Sequence, residues 1–243
     1  MTDQFEKAAE RAIAAMREDL GAPLTVDDLA RAAMFSKFHF TRIFQRVTGV
    51  SPGRFLSALR LQQAKVLLVT TSLNVADISV RVGYNSVGTF SSRFTRSVGL
   101  SPTAYRRLRG VADQVAVEGP DGRPAPADAV VAGVVANTTE RDPGRVFLGL
   151  FPGRIPEGRP VAWTVQSGPG PFVLDKVPAG EWYLLVQGIV ADDPGSVHDG
   201  VNGLLVGNRG PITVGEHAVV EALDVQLRPV RFLDPPVLLA LPT

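Results

Sequence analysis

The chain of 243 residues contains no cysteine, three histidines and two tryptophans. The absence of cysteine excludes disulfide bonds, thiolate metal sites and thiol nucleophiles, and it fits a cytoplasmic protein. Long apolar runs are missing too, so the sequence predicts no membrane span. Residues 1–20 are charged throughout instead of carrying the apolar core of a signal peptide. We therefore expect a soluble, cytoplasmic protein with no membrane partner.

Acidic residues are almost absent from one long stretch of the chain. Between Leu29 and Arg109 there are thirteen Lys and Arg residues and one acid, Asp77. Residues 1–110 hold sixteen basic and eight acidic residues, a net charge of +8, whereas residues 111–243 hold nine and sixteen, a net charge of −7. A positive field of this strength is typical of a surface that binds a phosphate backbone. We expect the first part to bind nucleic acid and the second part to be repelled by it.

Glycine and proline are scarce in the first part as well. Residues 1–110 contain seven Gly and three Pro, whereas residues 111–243 contain seventeen and sixteen. Helical periodicity in the first part, and short β-branched runs between turn signals in the second, predict a multidomain chain that is α and then β. The expected order is an all-α domain at residues 1–110, a linker at residues 111–127 and an antiparallel β-sandwich at residues 128–243. The candidate strands are residues 129–136, 145–151, 161–166, 172–174, 181–190, 204–206, 212–214, 219–226 and 237–241.

What the first part does contain is an internal repeat with a spacing of fifty residues. Residues 35–55 match residues 85–105, and the identical pairs are Ser36/Ser86, Phe40/Phe90, Phe44/Phe94, Arg46/Arg96, Gly49/Gly99, Ser51/Ser101 and Pro52/Pro102. A first amphipathic helix is predicted before the repeat, where Phe5, Ala9, Ile13, Met16 and Leu20 fall at helical spacing. Thr25 and Asp28 predict a capping box at the start of the second helix. Ser36 is expected to cap the third helix, which ends at Gly49, and Ser86 is expected to cap its equivalent in the second copy. The pattern indicates two copies of a helix-turn-helix unit, which makes an all-α twin helix-turn-helix domain.

The third helix of each copy has an apolar stripe, so the opposite face is left for solvent or a ligand. The stripe is predicted to be Phe40, Phe44 and Val47 in the first copy and Phe90, Phe94 and Val98 in the second. Side chains near the start of a recognition helix reach base edges, and Arg42 could bind guanine through O6 and N7. The candidate base contacts are Phe38, His39, Thr41, Arg42, Val87, Gly88, Thr89 and Ser92. The candidate phosphate contacts are Ser36, Lys37, Arg46, Arg54, Ser86, Arg93, Arg96 and Arg106.

Several of these residues have a second interpretation. His39 could be a surface histidine or a phosphate donor instead of a base contact, and Phe38 could belong partly to the core. Val87 and Gly88 are poor hydrogen-bonding residues, so the second copy is expected to read less sequence than the first. A long helix that begins at Pro52 joins the copies, and its length of about 27 Å could hold two recognition helices near the ~34 Å repeat of successive major grooves.

The twin motif resembles the DNA-binding domain of AraC/XylS-type transcription regulators. The resemblance covers about residues 20–109 and includes LTVDDLARAAMFSKFHFTRIFQRVTGVSP and NVADISVRVGYNSVGTFSSRFTRSVGLSPTAYRR. It implies a sequence-specific regulator of double-stranded DNA whose two third-type helices enter adjacent major grooves, with RNA polymerase as a further candidate partner. Many members of the family place this domain last, whereas here it comes first, so the usual effector fold is not implied for the second part.

The second part resembles carboxypeptidase regulatory-like, transthyretin-like sandwiches in one short stretch. The stretch FVLDKVPAGEWYLLV, which begins at Phe172, is similar to their F-x-L-x-x-V-P-x-G-x-Y-x-L hairpin. The resemblance implies a domain that associates, for example into a homodimer, or that senses a small-molecule effector or another protein. Trp163, Trp182 and Tyr183 are expected in the core more readily than in a pocket. His198 lies in an acidic loop, ADDPGSVHDG, which favours a loop over a metal site.

No nucleophile–base arrangement or phosphate loop occurs in the second part, and we expect no enzymatic activity and no cofactor. Ada-type alkyltransferases carry a similar helix-turn-helix beside cysteine chemistry, and the absence of cysteine excludes that reaction. The alternative that stays open is an architectural DNA-binding protein whose sandwich only dimerises.

Overall fold

A computed structural model of the chain describes residues 2–110, 127–190 and 203–238. The chain forms two compact units, one of Met1–Ala116 with Arg231–Thr243, the other of Val117–Val230. We call them the helical unit and the sheet unit. The predicted linker lies outside the described residues except for its last residue, and so does the acidic loop around His198. The expected second domain ran to residue 243, whereas the structure groups residues 231–238 with the helical unit.

Seven helices make up the described part of the helical unit. They are α1 (Thr2–Glu18), α2 (Val26–Ala33), α3 (Lys37–Thr48), α4 (Pro52–Thr70), α5 (Val75–Arg81), α6 (Val87–Val98) and α7 (Pro102–Arg107). Their ends follow the sequence signals, since Pro52 begins α4 and Gly49 takes a left-handed conformation (φ 79°) after α3. Among the described residues, no helix is both long and apolar enough to cross a bilayer.

The capping box predicted at the start of α2 is present. The Thr25 side chain accepts from the Asp28 amide at 3.2 Å, and the Asp28 carboxylate accepts from the Thr25 amide at 2.8 Å. Hydrogen bonds from Thr25, and a further one from Arg31, lower the pKa of Asp28 to about 2. The carboxylate is therefore charged at neutral pH, as an N-terminal cap requires.

The repeat in the sequence is a repeat in three dimensions. Helices α2 and α3 form the first helix-turn-helix unit, which packs on α1 and α4, and α5 and α6 form the second, which packs on α4 and α7. The ring centroids of Phe40 and Phe44 lie 5.5 Å apart, and those of Phe44 and Phe55 lie 5.4 Å apart. In the second unit the equivalent rings, Phe90, Phe94 and Tyr105, are spaced by 5.6 Å at both steps. Helix α4 thus belongs to both cores.

The predicted buried stripes are confirmed except at one position. Phe40, Phe44, Phe90, Phe94 and Val98 are at most 1% exposed. Val47 is half-buried instead of buried, whereas Ile43 and Thr48 are enclosed. Position 47 shares the three- and four-residue spacing of the buried positions 40, 43, 44 and 48, so periodicity predicts the side of the helix but not how completely each side chain is covered.

Seven strands make up the described part of the sheet unit. They are β1 (Ala127–Asn137), β2 (Pro143–Phe151), β3 (Ala162–Gln166), β4 (Gly170–Pro178), β5 (Gly180–Val190), β6 (Leu204–Val214) and β7 (Val219–Pro229). They form one sheet in the order β3-β2-β5-β6-β7-β1-β4. The edge strands β3 and β4 are joined by residues 167–169, so the two edges lie close together and the sheet curls nearly into a barrel.

The prediction of an antiparallel sandwich is therefore not confirmed. Strands β1 and β7 run parallel, with Val130 opposite Val219, which makes the sheet mixed. The predicted strands at residues 204–206 and 212–214 are the two ends of the single strand β6. Val237 and Leu238 are described and form no strand.

The hairpin expected from FVLDKVPAGEWYLLV is also absent. The stretch does form two strands, β4 and β5, with only Ala179 between them. However, β4 pairs with β1, and β5 pairs with β2 and β6. A short motif specifies the two extended segments but not their partners, because pairing depends on the other strands of the sheet.

Candidate nucleic-acid interface

The outer face of α3 carries the predicted base contacts of the first helix-turn-helix unit. Phe38 is 86% exposed, and Arg42 and Arg46 are exposed one and two turns further along the helix. Thr41 is half-buried, and its hydroxyl donates to the carbonyl of Lys37 at 2.9 Å. A large apolar ring and two guanidinium groups therefore lie on one helix, available to an external partner.

His39 is exposed but is also held by two neighbouring rings. Its imidazole meets the ring of Phe35 edge-on, and the two ring centroids lie 5.1 Å apart. It also meets the ring of Phe5, in α1, edge-on with a centroid distance of 6.2 Å. His39, Arg42 and Arg46 line an open groove beside Phe5. Helix α1 therefore helps to hold the His39 side chain, a contact that the sequence analysis missed because the helical spacing of Phe5 indicated only a core position.

The matching face of α6 carries smaller side chains. Val87 is 45% exposed, and Gly88, Thr89 and Ser92 are exposed as well. A Cβ atom placed on Gly88 would meet nothing within 4 Å, so another molecule can approach this backbone closely. The Ser86 hydroxyl donates to Thr89 Oγ1 at 2.8 Å and accepts from the Thr89 amide at 3.1 Å, which fixes the Thr89 side chain.

The two predicted N-cap serines behave differently. Ser86 caps α6 through its side chain, whereas Ser36 lies at the N-cap position of α3 without a side-chain capping bond. The first amides of α3 thus keep a donor that a phosphate oxygen could take up. The expectation that both serines cap their helices holds for Ser86 and is wrong for Ser36.

The cation at the start of α3 is already paired within the chain. Lys37 Nζ lies 2.7 Å from Asp27 Oδ2, and both side chains are more than half exposed. An exposed pair of this kind contributes about 0–1 kcal/mol, so a phosphate group can compete for the lysine. The second unit has Val87 and Ala76 at the equivalent positions.

Arg106 differs from the other predicted phosphate contacts. Its Nε donates to the carbonyl of Leu68 at 3.0 Å, and its guanidinium also donates to the carbonyl of Leu73. Arg106 is half-buried and holds the loop that leads into α5. Two of its donor atoms are thus used inside the domain, and its assignment as a phosphate contact stays a prediction.

Arg60 holds the loop that leads into α2 of the first unit, as Arg106 holds the loop that leads into α5 of the second. It donates to the carbonyls of Leu20 at 2.9 Å and Ala22 at 2.7 Å, and desolvation lowers its pKa. A Cβ atom on Gly83 would lie 2.7 Å from the Arg60 guanidinium carbon, and φ of Gly83 is +81°, so this position requires glycine. The position of Arg60 between Leu59 and Leu61, on a helix with an apolar side, was the sequence signal for a half-buried cation.

The remaining predicted phosphate contacts are at the surface. Arg54, Arg93 and Arg96 are exposed, as Arg46 is. They come from α4, α6 and α3, so cations from three helices of the domain reach solvent. This distribution is what a surface that follows a phosphate backbone requires.

The sheet unit offers no comparable site in its described residues. Nowhere in residues 2–110, 127–190 and 203–238 do three or more His, Asp or Glu side chains gather as a metal site would require. Trp182 packs against the core and donates its indole N–H to the Pro178 carbonyl at 2.9 Å. Trp163 is 40% exposed and stacks on Phe147 with a centroid distance of 6.3 Å. Trp182 thus packs against the core, and Trp163 packs on Phe147 while part of its side chain is exposed.

Comparison with known proteins adds to this geometry. Residues 29–108 match the family model of the helix-turn-helix domain. The chain is 43% identical over 82 residues to an uncharacterized HTH-type transcriptional regulator of Haemophilus influenzae, covering 34% of this chain and 28% of that protein. It is 34% identical over 83 residues to the HTH-type transcriptional activator AarP of Providencia stuartii, covering 34% of this chain and 62% of that protein. It is also 35% identical over 88 residues to the right origin-binding protein of Escherichia coli, covering 36% of this chain and 30% of that protein.

In each case the chain covers less than two thirds of the relative's own length. The matches support the resemblance for the N-terminal part, since residues 29–108 are similar to a helix-turn-helix domain found in transcriptional regulators. The family match ends at residue 108, and the resemblance of the second part to carboxypeptidase regulatory-like domains is not confirmed.

Proposed function

We propose that the protein is a sequence-specific DNA-binding transcription regulator that acts in the cytoplasm and is not an enzyme. The observation that carries the proposal is the surface of α3, where Phe38, Arg42 and Arg46 are exposed on a helix-turn-helix unit. Exposing a large ring beside two guanidinium groups fits contact with bases and phosphates of double-stranded DNA. The names of the relatives, a transcriptional regulator and an activator, support the same function.

Both recognition helices take part in the proposed complex. Helix α4 has nineteen residues, about 28 Å at 1.5 Å per residue, which suits two recognition helices in adjacent major grooves. Bases would be contacted by Phe38, His39, Thr41, Arg42, Val87, Gly88, Thr89 and Ser92. Phosphates would be contacted by Ser36, Lys37, Arg46, Arg54, Ser86, Arg93 and Arg96.

The sheet unit has a separate role in the proposal. Residues 111–243 carry a net charge of −7, which disfavours contact with the phosphate backbone. We assign this part to association with a second copy, or to sensing a small molecule or a protein such as RNA polymerase. Under this assignment the sheet unit sets when or where the helical unit binds.

The test is genome-wide occupancy combined with transcript levels. Chromatin precipitation of the wild-type protein should give discrete sites, and deletion of its gene should change transcripts next to those sites. A variant with Arg42→Ala and Arg46→Ala should lose the sites, whereas Arg141→Ala with Arg145→Ala, which removes the same charge from the sheet unit, should keep them. Occupancy without preferred sequences would contradict the proposal.

A second candidate function is supported by one of the relatives. The right origin-binding protein of Escherichia coli is named for binding an origin and not for a regulated gene. An architectural or origin-binding role would give the same discrete sites while neighbouring transcripts stay unchanged in the deletion strain. The same experiment therefore separates the two candidates.

A further inference from the structure

The described end of the chain, residues 231–238, returns to the helical unit. The segment begins with a closed turn, in which the Arg231 amide donates to Asp234 Oδ2 at 2.6 Å and the Asp234 amide donates to the Arg231 carbonyl at 3.0 Å. It then runs without regular secondary structure to Pro236, which is buried, and Leu238, which is 0% exposed. A short segment with a fixed turn and a fully buried leucine is a packed part of the domain.

Helix α4 holds the end of this segment through one lysine. Lys65 Nζ donates to the carbonyl of Leu238 at 3.1 Å and to that of Val237 at 3.4 Å. The same ammonium group lies 5.8 Å from the ring centroid of Tyr105, in α7. Desolvation lowers the pKa of Lys65 to about 8, which fits a cation placed against the backbone and a ring.

Helix α1 contacts the beginning of the segment. The guanidinium carbon of Arg17 lies 5.2 Å from the centroid of the Phe232 ring. Helix α1 packs on the first helix-turn-helix unit, whereas Tyr105 closes the aromatic core of the second. The segment and its anchor lysine therefore reach helices that support both units.

We infer that residues 231–238 are a brace that fixes the two helix-turn-helix units relative to each other for binding to adjacent major grooves. The inference rests on the proposed two-groove binding and deepens it. Helix α4 is shared by both cores, and the brace adds a connection that runs from α1 to α4 and, through Lys65, to α7. Because the chain returns to the helical unit at Arg231, the sheet unit is joined to the helical unit at both of its ends.

The decisive variant is Leu238→Lys in the full chain. It places a second cation near Lys65, at a position where the leucine is 0% exposed, so the brace should leave the domain. The added positive charge would by itself strengthen binding to DNA, so a loss of affinity cannot be a charge effect. Val173→Lys is the matched control, because it adds the same charge at a 62% exposed valine of the sheet unit.

Affinity should be measured on two duplexes. One carries both segments of a site enriched by the wild-type protein from a random pool, and in the other the second segment is replaced by random sequence. Leu238→Lys should lose about tenfold or more on the first duplex and less than about twofold on the second, because only the joint placement of the units is disturbed. A general loss of folding would weaken both. Val173→Lys should match the wild type on both.

The remaining outcomes also decide the matter. If Leu238→Lys binds both duplexes like the wild type, the inference is overturned. If circular dichroism shows that this variant is unfolded, Phe232→Ala decides instead: a selective loss of about two- to fivefold on the first duplex supports the brace, and none overturns it. If the wild type enriches no sequence, the proposed function fails, and amide hydrogen exchange then tests the brace alone. Faster exchange of α1 and α7 in Phe232→Ala than in the wild type supports the brace, and equal exchange overturns it.

Discussion

The two helix-turn-helix units have nearly the same core and different outer faces. The rings of Phe40, Phe44 and Phe55 correspond in spacing to those of Phe90, Phe94 and Tyr105. On the outside, α3 presents Phe38 and Arg42 where α6 presents Gly88 and Ser92. The first unit thus offers a ring and a guanidinium group, and the second offers a bare backbone and a hydroxyl.

The repeated sequence thus encodes a common scaffold, whereas the outward-facing side chains of the two units differ. Identity between the copies is concentrated at buried and capping positions, such as Phe40/Phe90 and Gly49/Gly99, because packing and left-handed caps tolerate few side chains. Most exposed positions are under no such constraint and differ between the copies, Arg46/Arg96 being an identical exposed pair. We therefore expect the first unit to supply most of the sequence preference and the second to supply mainly position and affinity.

The largest effect is expected from separating the two half-sites. Inserting five base pairs between the segments rotates the second by about half a helical turn, out of reach of a unit that α4 holds in place. Affinity should fall about 100-fold or more, since the contribution of one unit is lost. Electrophoretic mobility shift on the two duplexes measures this, with five base pairs inserted outside the two segments as the control for length. Equal binding with and without the five-base-pair insertion would mean that a single unit binds DNA.

The next largest effect concerns equivalent positions on α3 and α6. Arg42→Ala should cost about 1–3 kcal/mol and relax the preference at one base position, because a bidentate contact to guanine is lost. Ser92→Ala, the matched change in the second unit, should cost less than about 1 kcal/mol. Binding to a panel of single-base variants of the site measures both. Uniform weakening of Arg42→Ala on every variant would make Arg42 a phosphate contact.

A smaller effect is expected when the second unit is given the lysine of the first. Val87→Lys reproduces Lys37 at the start of α6 and should strengthen binding on all sequences by a few fold. The slope of log affinity against log salt concentration should steepen by about one, because one more counterion is released. Val173→Lys in the sheet unit controls for net charge. A titration of affinity against salt concentration measures the slope, and a slope equal to that of wild type would show that position 87 faces no phosphate.

The smallest effect concerns the acid that pairs with Lys37. Asp27→Asn should release the lysine for a phosphate and raise affinity by about two- to threefold at low salt, with the gain fading at high salt. Asp3→Asn is the control, since Asp3 forms a similar exposed pair with Lys7. If both variants gain equally, the effect is one of net charge and the Asp27–Lys37 pair has no specific role.

Much of the helical unit could be predicted because its signals are local. Thr25 and Asp28 specify a cap, Pro52 a helix start and Gly49 a helix end, and the structure places each of them as expected. The candidate site followed from the same periodicity, which separates Phe38 and Arg42 from the buried stripe.

What could not be predicted depends on distant partners. Arg106 and Arg60 are basic residues in a basic segment, and only the folded loops show that they donate to backbone carbonyls. The parallel pairing of β1 with β7 joins segments about ninety residues apart, which no local pattern reveals. Residues 237–241 resemble a strand by composition, but Leu238 packs in the helical unit instead.

The most direct test of the account is the base preference of the full-length protein, determined position by position by selection from random duplexes and sequencing. We expect two blocks of preferred sequence about 10–10.5 base pairs apart, the first with strong preferences and the second with weaker ones. A single block, or two blocks of equal strength, would contradict the claim that two unlike units on one scaffold read adjacent grooves.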